Sequence, residues 1–222
     1  MNNYSLGQIG AVTVVLLTGI TVGVASVVYV WGEPILDKRE SGNELDNVES
    51  MVLDIRDEVL RVDQAGEGSS AEIPIEPETD EYNVNLVSLN ASNDYIDIVV
   101  EGEEFPYPEG SWTLLDGQNL RNLSISGGDY VIEGEDKEGV VLVRRTSGVA
   151  TYRVEFRNIY SENDQTPLKK IDLVERGSTV TGSGSVYLRN SGSEINSGSN
   201  GLTVSTGETI DRELTEMQVE MR

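Results

Sequence analysis

Residues Ile9–Trp31 read IGAVTVVLLTGITVGVASVVYVW, and no charged side chain appears before Glu33. As an α-helix these 23 residues would rise roughly 34 Å, enough for a ~30 Å hydrocarbon core with some tilt. Buried helices of soluble domains seldom carry so long an unbroken apolar run. Tyr29 and Trp31 stand at the far end, where amphipathic rings favour an interface. The stretch lacks a basic residue before it and an Ala-x-Ala site after it, and it exceeds the usual core of a secretory signal. The reading is a retained transmembrane helix over 9–31. Gly19 and Gly23 form a GxxxG, which lets two helix backbones approach closely.

Beyond Gly32 and Pro34, where a break is expected, a second helical pattern spans 43–63. Leu45, Val48, Val52, Ile55, Val59 and Val62 are spaced 3, 4, 3, 4, 3. This a/d stripe, with acids and arginines elsewhere on the surface, predicts an amphipathic helix. It either lies on its own β-domain or joins copies of the chain as a coiled coil. Residues 64–81 are rich in Gly, Ser, Pro and acid and read as a linker after an eight-residue leader-like segment (1–8) and the two helices.

From 82 to 222 the period changes to two. Tyr82–Leu89, Tyr95–Glu101, Asn119–Ser126, Tyr130–Glu133, Val140–Arg145, Thr151–Ile159 and Ile171–Glu175 read as strands between turn residues. Glu213–Arg222 reads as a last one, and the Gly-, Ser- and Asn-rich stretch 177–207 as long loops and edge strands. The fold class expected is α+β: a long N-terminal transmembrane and amphipathic helix followed by an antiparallel β-sandwich-like head.

Asp and Glu number 39 against 16 Lys and Arg, a net charge of −23. That field repels nucleic acid, which is excluded as a partner. Lysine is scarce (Lys38, Lys137, Lys169 and Lys170), a balance that suits solubility in high salt. His and Cys are absent. Thiol and imidazole chemistry, disulfides and the usual zinc ligands are therefore unavailable. No Walker or dinucleotide loop occurs, and the acidic loops around 90–94 and 133–136 lack EF-hand spacing, so no metal or cofactor is expected. Phe105-Pro106-Tyr107-Pro108 and Trp112 read as a turn plugging one end of the head, or else as an aromatic recognition loop.

The order Ser5-Leu6-Gly7-Gln8-Ile9-Gly10-Ala11-Val12 resembles the processing site of archaeal type IV pilins. In that family a peptidase cuts at a Gly-Gln junction, here between Gly7 and Gln8, and the following helix becomes a filament core. The resemblance implies a non-enzymatic, membrane-borne subunit that self-associates into a surface filament, its head outside the cell for adhesion or surface contact. Lys38 and Arg39 after the helix argue for the opposite orientation. The sequons at Asn90 and Asn122 agree with an external, glycan-bearing head. The rival readings are a membrane-anchored binding domain, either an adhesin or a filament accessory protein, and a tethered hydrolase using two carboxylates.

Overall fold

The computed structural model describes residues 5–75, 82–102, 105–117, 121–124, 130–133, 138–160, 168–177, 179–182, 184–197, 202–203 and 209–222. Helix α1 spans Ser5–Ala65. Its helical backbone continues through Gly32 and Pro34, where a break is expected. A proline removes one donor and favours a kink, but it does not oblige a helix to end. Two compact units divide the chain, Met1–Asp46 and Asn47–Arg222.

In the second unit a seven-stranded sheet contains β1 (Ser70–Ile75), β5 (Arg121–Ser124), β6 (Tyr130–Glu133), β9 (Asn158–Tyr160), β10 (Leu168–Glu175), β12 (Gly184–Asn196) and β15 (Arg212–Met221). Their order is β1-β12-β15-β10-β9-β6-β5. A six-stranded sheet contains β2 (Tyr82–Asn90), β3 (Tyr95–Gly102), β4 (Thr113–Asp116), β7 (Gly139–Thr146), β8 (Val149–Phe156) and β11 (Val180–Thr181), in the order β11-β2-β3-β8-β7-β4. Two short strands, β13 (Leu202–Thr203) and β14 (Thr209–Ile210), pair separately.

Two features correct the expected fold class. The first concerns the membrane: among the described residues no helix is long and apolar enough to cross one. The second concerns the sheets, which dominate the second unit. The six-stranded sheet is antiparallel throughout. The other is mixed, because β10 runs parallel to β15 and β6 parallel to β9. Parallel neighbours need a long crossover, and residues 176–211 between β10 and β15 supply one.

The linker and loop expectations also change. Ser70–Ile75, inside the expected linker, is an edge strand paired with β12 in a register from Ser70↔Arg189 to Ile75↔Gly184. The Gly- and Ser-rich stretch holds β12 itself, an internal strand of the seven-stranded sheet. A bulge between Asn190 and Gly192 interrupts its pairing with β15, and Gly192 has φ +127° there.

Burial follows the alternation. Ile96, Ile98 and Val100 of β3 and Ala150, Tyr152 and Val154 of β8 are fully buried. Leu188 of β12, Ile171 and Leu173 of β10, and Met217 and Val219 of β15 are buried with them. On α1, Val52, Ile55, Val59 and Val62 have no exposure, and Leu45 and Val48 are also buried. At full burial each such side chain contributes roughly 1.5–3 kcal/mol. The helix ends at Gly66, whose φ is +83° and whose N–H donates to the Asp63 carbonyl at 3.1 Å. A left-handed glycine is the common way to close a helix.

Candidate functional site

The described part of the apolar segment turns outward on every side. Val14, Val15, Leu16, Leu17, Ile20, Val22, Val24 and Val27 are 57–73% exposed. Thr18, Thr21 and Ser26 donate their hydroxyls to the carbonyls of Val14, Leu17 and Val22, each at 2.8 Å. These bonds to the preceding turn remove the polar groups from the surface. What remains is hydrocarbon around the whole helix. Leaving it in water forgoes about 1.5–3 kcal/mol for each large side chain. A Cβ added at Gly19 or Gly23 would meet nothing within 4 Å, so both backbones are open to a close neighbour. Gly7 and Gln8 belong to the first turns of α1, and the Gln8 side chain lies outside the described residues.

The stripe has a different destination. Val48, Val52, Ile55, Val59 and Val62 are buried within the chain, which leaves them no apolar surface for a coiled coil between copies. Arg56, beside the stripe, is 2% exposed. Its guanidinium holds Asp57 through Nε at 2.8 Å and Nη2 at 2.7 Å, and its Nη1 pairs with Asp116 at the end of β4. The spacing pattern carries no signal for Arg56, because its partner Asp116 is sixty residues away.

Near the helix C-terminus lies a cleft of about 250 Å³, with Asp63, Glu138 and Glu213 facing Lys169 and Lys170, and Ser193 and Thr215 completing its polar wall. Burial raises the Glu138 carboxyl above the usual carboxylate range, reinforced by the negative charges of Asp63 and Glu213 and opposed by Lys169. A half-buried carboxyl with a raised pKa beside other carboxylates resembles the environment of a general acid. Among the described residues no three side chains are grouped to hold a metal ion. Asp94, in one of the loops weighed for calcium, is instead committed to Lys170 at 2.8 Å and to the Leu173 N–H at 3.0 Å.

The remaining sequence-marked residues are separated from these features. Asn90 ends β2, with its Nδ2 donating to the Tyr95 hydroxyl at 2.8 Å and its Oδ1 accepting from Asn93 at 3.0 Å. Asn122 lies in β5, paired in register with Ile132, and its side chain is outside the described residues. In the aromatic turn, Phe105 is buried 5.3 Å from the Tyr82 ring. Tyr107 meets Tyr152 edge-on at 6.2 Å and donates its hydroxyl to Glu49. These two rings close the core, whereas Trp112 lies against arginines.

Residues that sequence reasoning missed are polar and buried. Asn190 has no exposure, donates towards the carbonyls of Val62 at 3.4 Å and Asp63 at 3.3 Å, and accepts the Gly192 N–H at 2.8 Å. The one available hint is its position beside an apolar island, Val186-Tyr187-Leu188, in a polar tract. Compared with known protein families, curated proteins and solved structures, the chain matches none.

Proposed function

We propose that this chain is a pilin-like filament subunit, assembling through the apolar segment of α1 and displaying an acidic, β-rich head at the cell surface. The observation that carries the reading is the unbroken apolar surface from Val14 to Val27. Its hydroxyls are satisfied within the helix, and the backbones at Gly19 and Gly23 are open. Apolar area of this kind is stable only when covered. Helices of further copies cover it with the same chemistry on both sides. A head-to-tail contact that does not close then propagates as a helical array. The Gly7-Gln8 junction resembles the cut site of archaeal type IV pilins and fits the same reading. The net charge of −23 keeps the displayed heads hydrated.

Sedimentation in detergent-free buffer tests it. The native chain is expected to run as large assemblies. Leu16→Asp with Ile20→Asp should run as a monomer whose β-sheet circular dichroism is unchanged. Mass spectrometry of the native N-terminus should find Gln8 first. A native chain that is monomeric, or begins at Met1, counts against the filament and for a single-copy binding domain.

The cleft supports a second reading, a hydrolase with Glu138 as general acid. Its test is release of reducing sugar from acidic polysaccharide by the native chain, abolished in Glu138→Gln. No release removes this reading.

A further inference from the structure

On the outward face of the six-stranded sheet, one row crosses four strands: Asp97 opposite Arg153, Arg153 opposite Leu142, and Leu142 opposite Leu114. Leu114, at the edge, is 47% exposed. Arg153 grips Asp97 with Nε and Nη2, both at 2.8 Å, and lies 3.6 Å from the centre of the Tyr95 ring and 4.7 Å from that of Trp112. Arg144 stacks on the same Trp112 at 4.6 Å.

The two arginines differ in one respect. Arg153 has its carboxylate, whereas among the described residues Arg144 has none within ion-pair distance, and its Nε is buried without a hydrogen-bond partner. A guanidinium set over an indole, with no carboxylate beside it among the described residues, can take one through its terminal nitrogens. Tryptophan, tyrosine and arginine together, with an apolar edge beside them, are also the residues that dominate binding at protein interfaces.

We infer that this face is a contact between heads, with Arg144 and Trp112 receiving a carboxylate of a second copy of the chain. The inference rests on the assembly proposed above and goes beyond it to a contact that the helix does not make. Charge selects the occupant. The chain carries 39 acidic residues against 16 basic ones, so neighbouring heads repel unless contacts set a cation against the prevailing carboxylates. Arg144 is such a cation. Copies tethered through their helices meet at an effective concentration near millimolar, where a single weak ion pair on an aromatic platform suffices to fix orientation.

The test uses the full chain carrying Arg144→Lys, prepared as an equal mixture of ¹⁴N and ¹⁵N protein and treated with a zero-length carbodiimide. The reagent joins amines to carboxylates in contact, and mass spectrometry distinguishes links between copies by their mixed isotopes. Mixed-isotope links from position 144 to an Asp or Glu are expected. They should be lost when Trp112→Ala is added and absent from Arg189→Lys, which alters an exposed arginine on the other sheet. Sedimentation of the same sample separates the two ideas. Assemblies with no mixed-isotope link at 144, or with as many at 189, overturn the head contact alone, and a monomeric chain overturns the filament and the contact together. Alginate that binds the native chain and not Arg144→Glu, with no links between copies, assigns the face to an acidic glycan and overturns the contact.

Discussion

Asp94 ties the two sheets together by accepting the backbone N–H of Leu173 at 3.0 Å. It sits in the β2–β3 turn with φ +51°, is 4% exposed, and pairs its other oxygen with Lys170 Nζ at 2.8 Å. Its own carbonyl accepts the N–H of Phe156 at 2.9 Å. One residue thus joins a hairpin and β8 of the six-stranded sheet to β10 of the other. Asp94→Ala should cost about 3 kcal/mol, since it strands a buried N–H and a half-buried ammonium and puts alanine in a left-handed conformation. Asp94→Asn keeps an acceptor and tolerates that backbone, so it should cost about half as much. Urea unfolding of both variants measures the difference, and equal losses would show that the hydrogen bond to Leu173 contributes little.

Ile55→Ala and Val59→Ala are expected to weaken the second unit by about 2–4 kcal/mol each, because both side chains are fully buried and the packed surroundings collapse only in part. Val15→Ala removes a similar group from a position 73% exposed. It should leave the unfolding midpoint of the second unit unchanged and lower the sedimentation coefficient of assemblies instead. The contrast separates the two apolar patterns of α1 by what covers them.

That contrast also marks what the sequence made legible. The 3, 4 spacing of Leu45 to Val62 locates a buried helical face because periodicity reports local geometry directly. The alternation in β2, β3 and β8 is legible for the same reason. Strand β12 is not, because Ser, Gly and Asn at Asn190–Ser193 satisfy a bulge and a helix end rather than a core. Asn190, Arg56 and Asp94 depend on partners 60 to 128 residues away in the chain, and no local pattern records such pairings. The apolar run at 9–31 is plain in the sequence, but hydropathy alone does not distinguish a bilayer from a layer of identical helices.

Tyr152 has a buried hydroxyl with no hydrogen-bond partner among the described residues. Burial, and next to it the charge of Glu49, pushes its ionisation far above the ordinary phenol range. An unpaired buried hydroxyl has lost its water without compensation. Tyr152→Phe keeps the ring against Tyr107 and should leave stability unchanged or raise it by about 1 kcal/mol, read from the urea midpoint. A loss above ~1 kcal/mol would mean that the hydroxyl is bonded after all.

Glu138 gives the fold a pH dependence of definite sign. Its carboxyl is held above the ordinary range, mainly by burial and then by Asp63 and Glu213, so the folded chain binds its proton more tightly than the unfolded chain does. The resulting stability is fully present below the ordinary carboxylate pKa and is lost as pH rises through the folded value. At neutral pH the half-buried carboxylate is therefore a net cost, which Glu138→Gln removes. The variant should be more stable than the native chain at pH 7, and the gain should shrink as pH falls into the ordinary carboxylate range. Denaturant midpoints measured across that range decide the matter. A gain that grows towards acid would reverse the sign and place Glu138 in a favourable pair with Lys169.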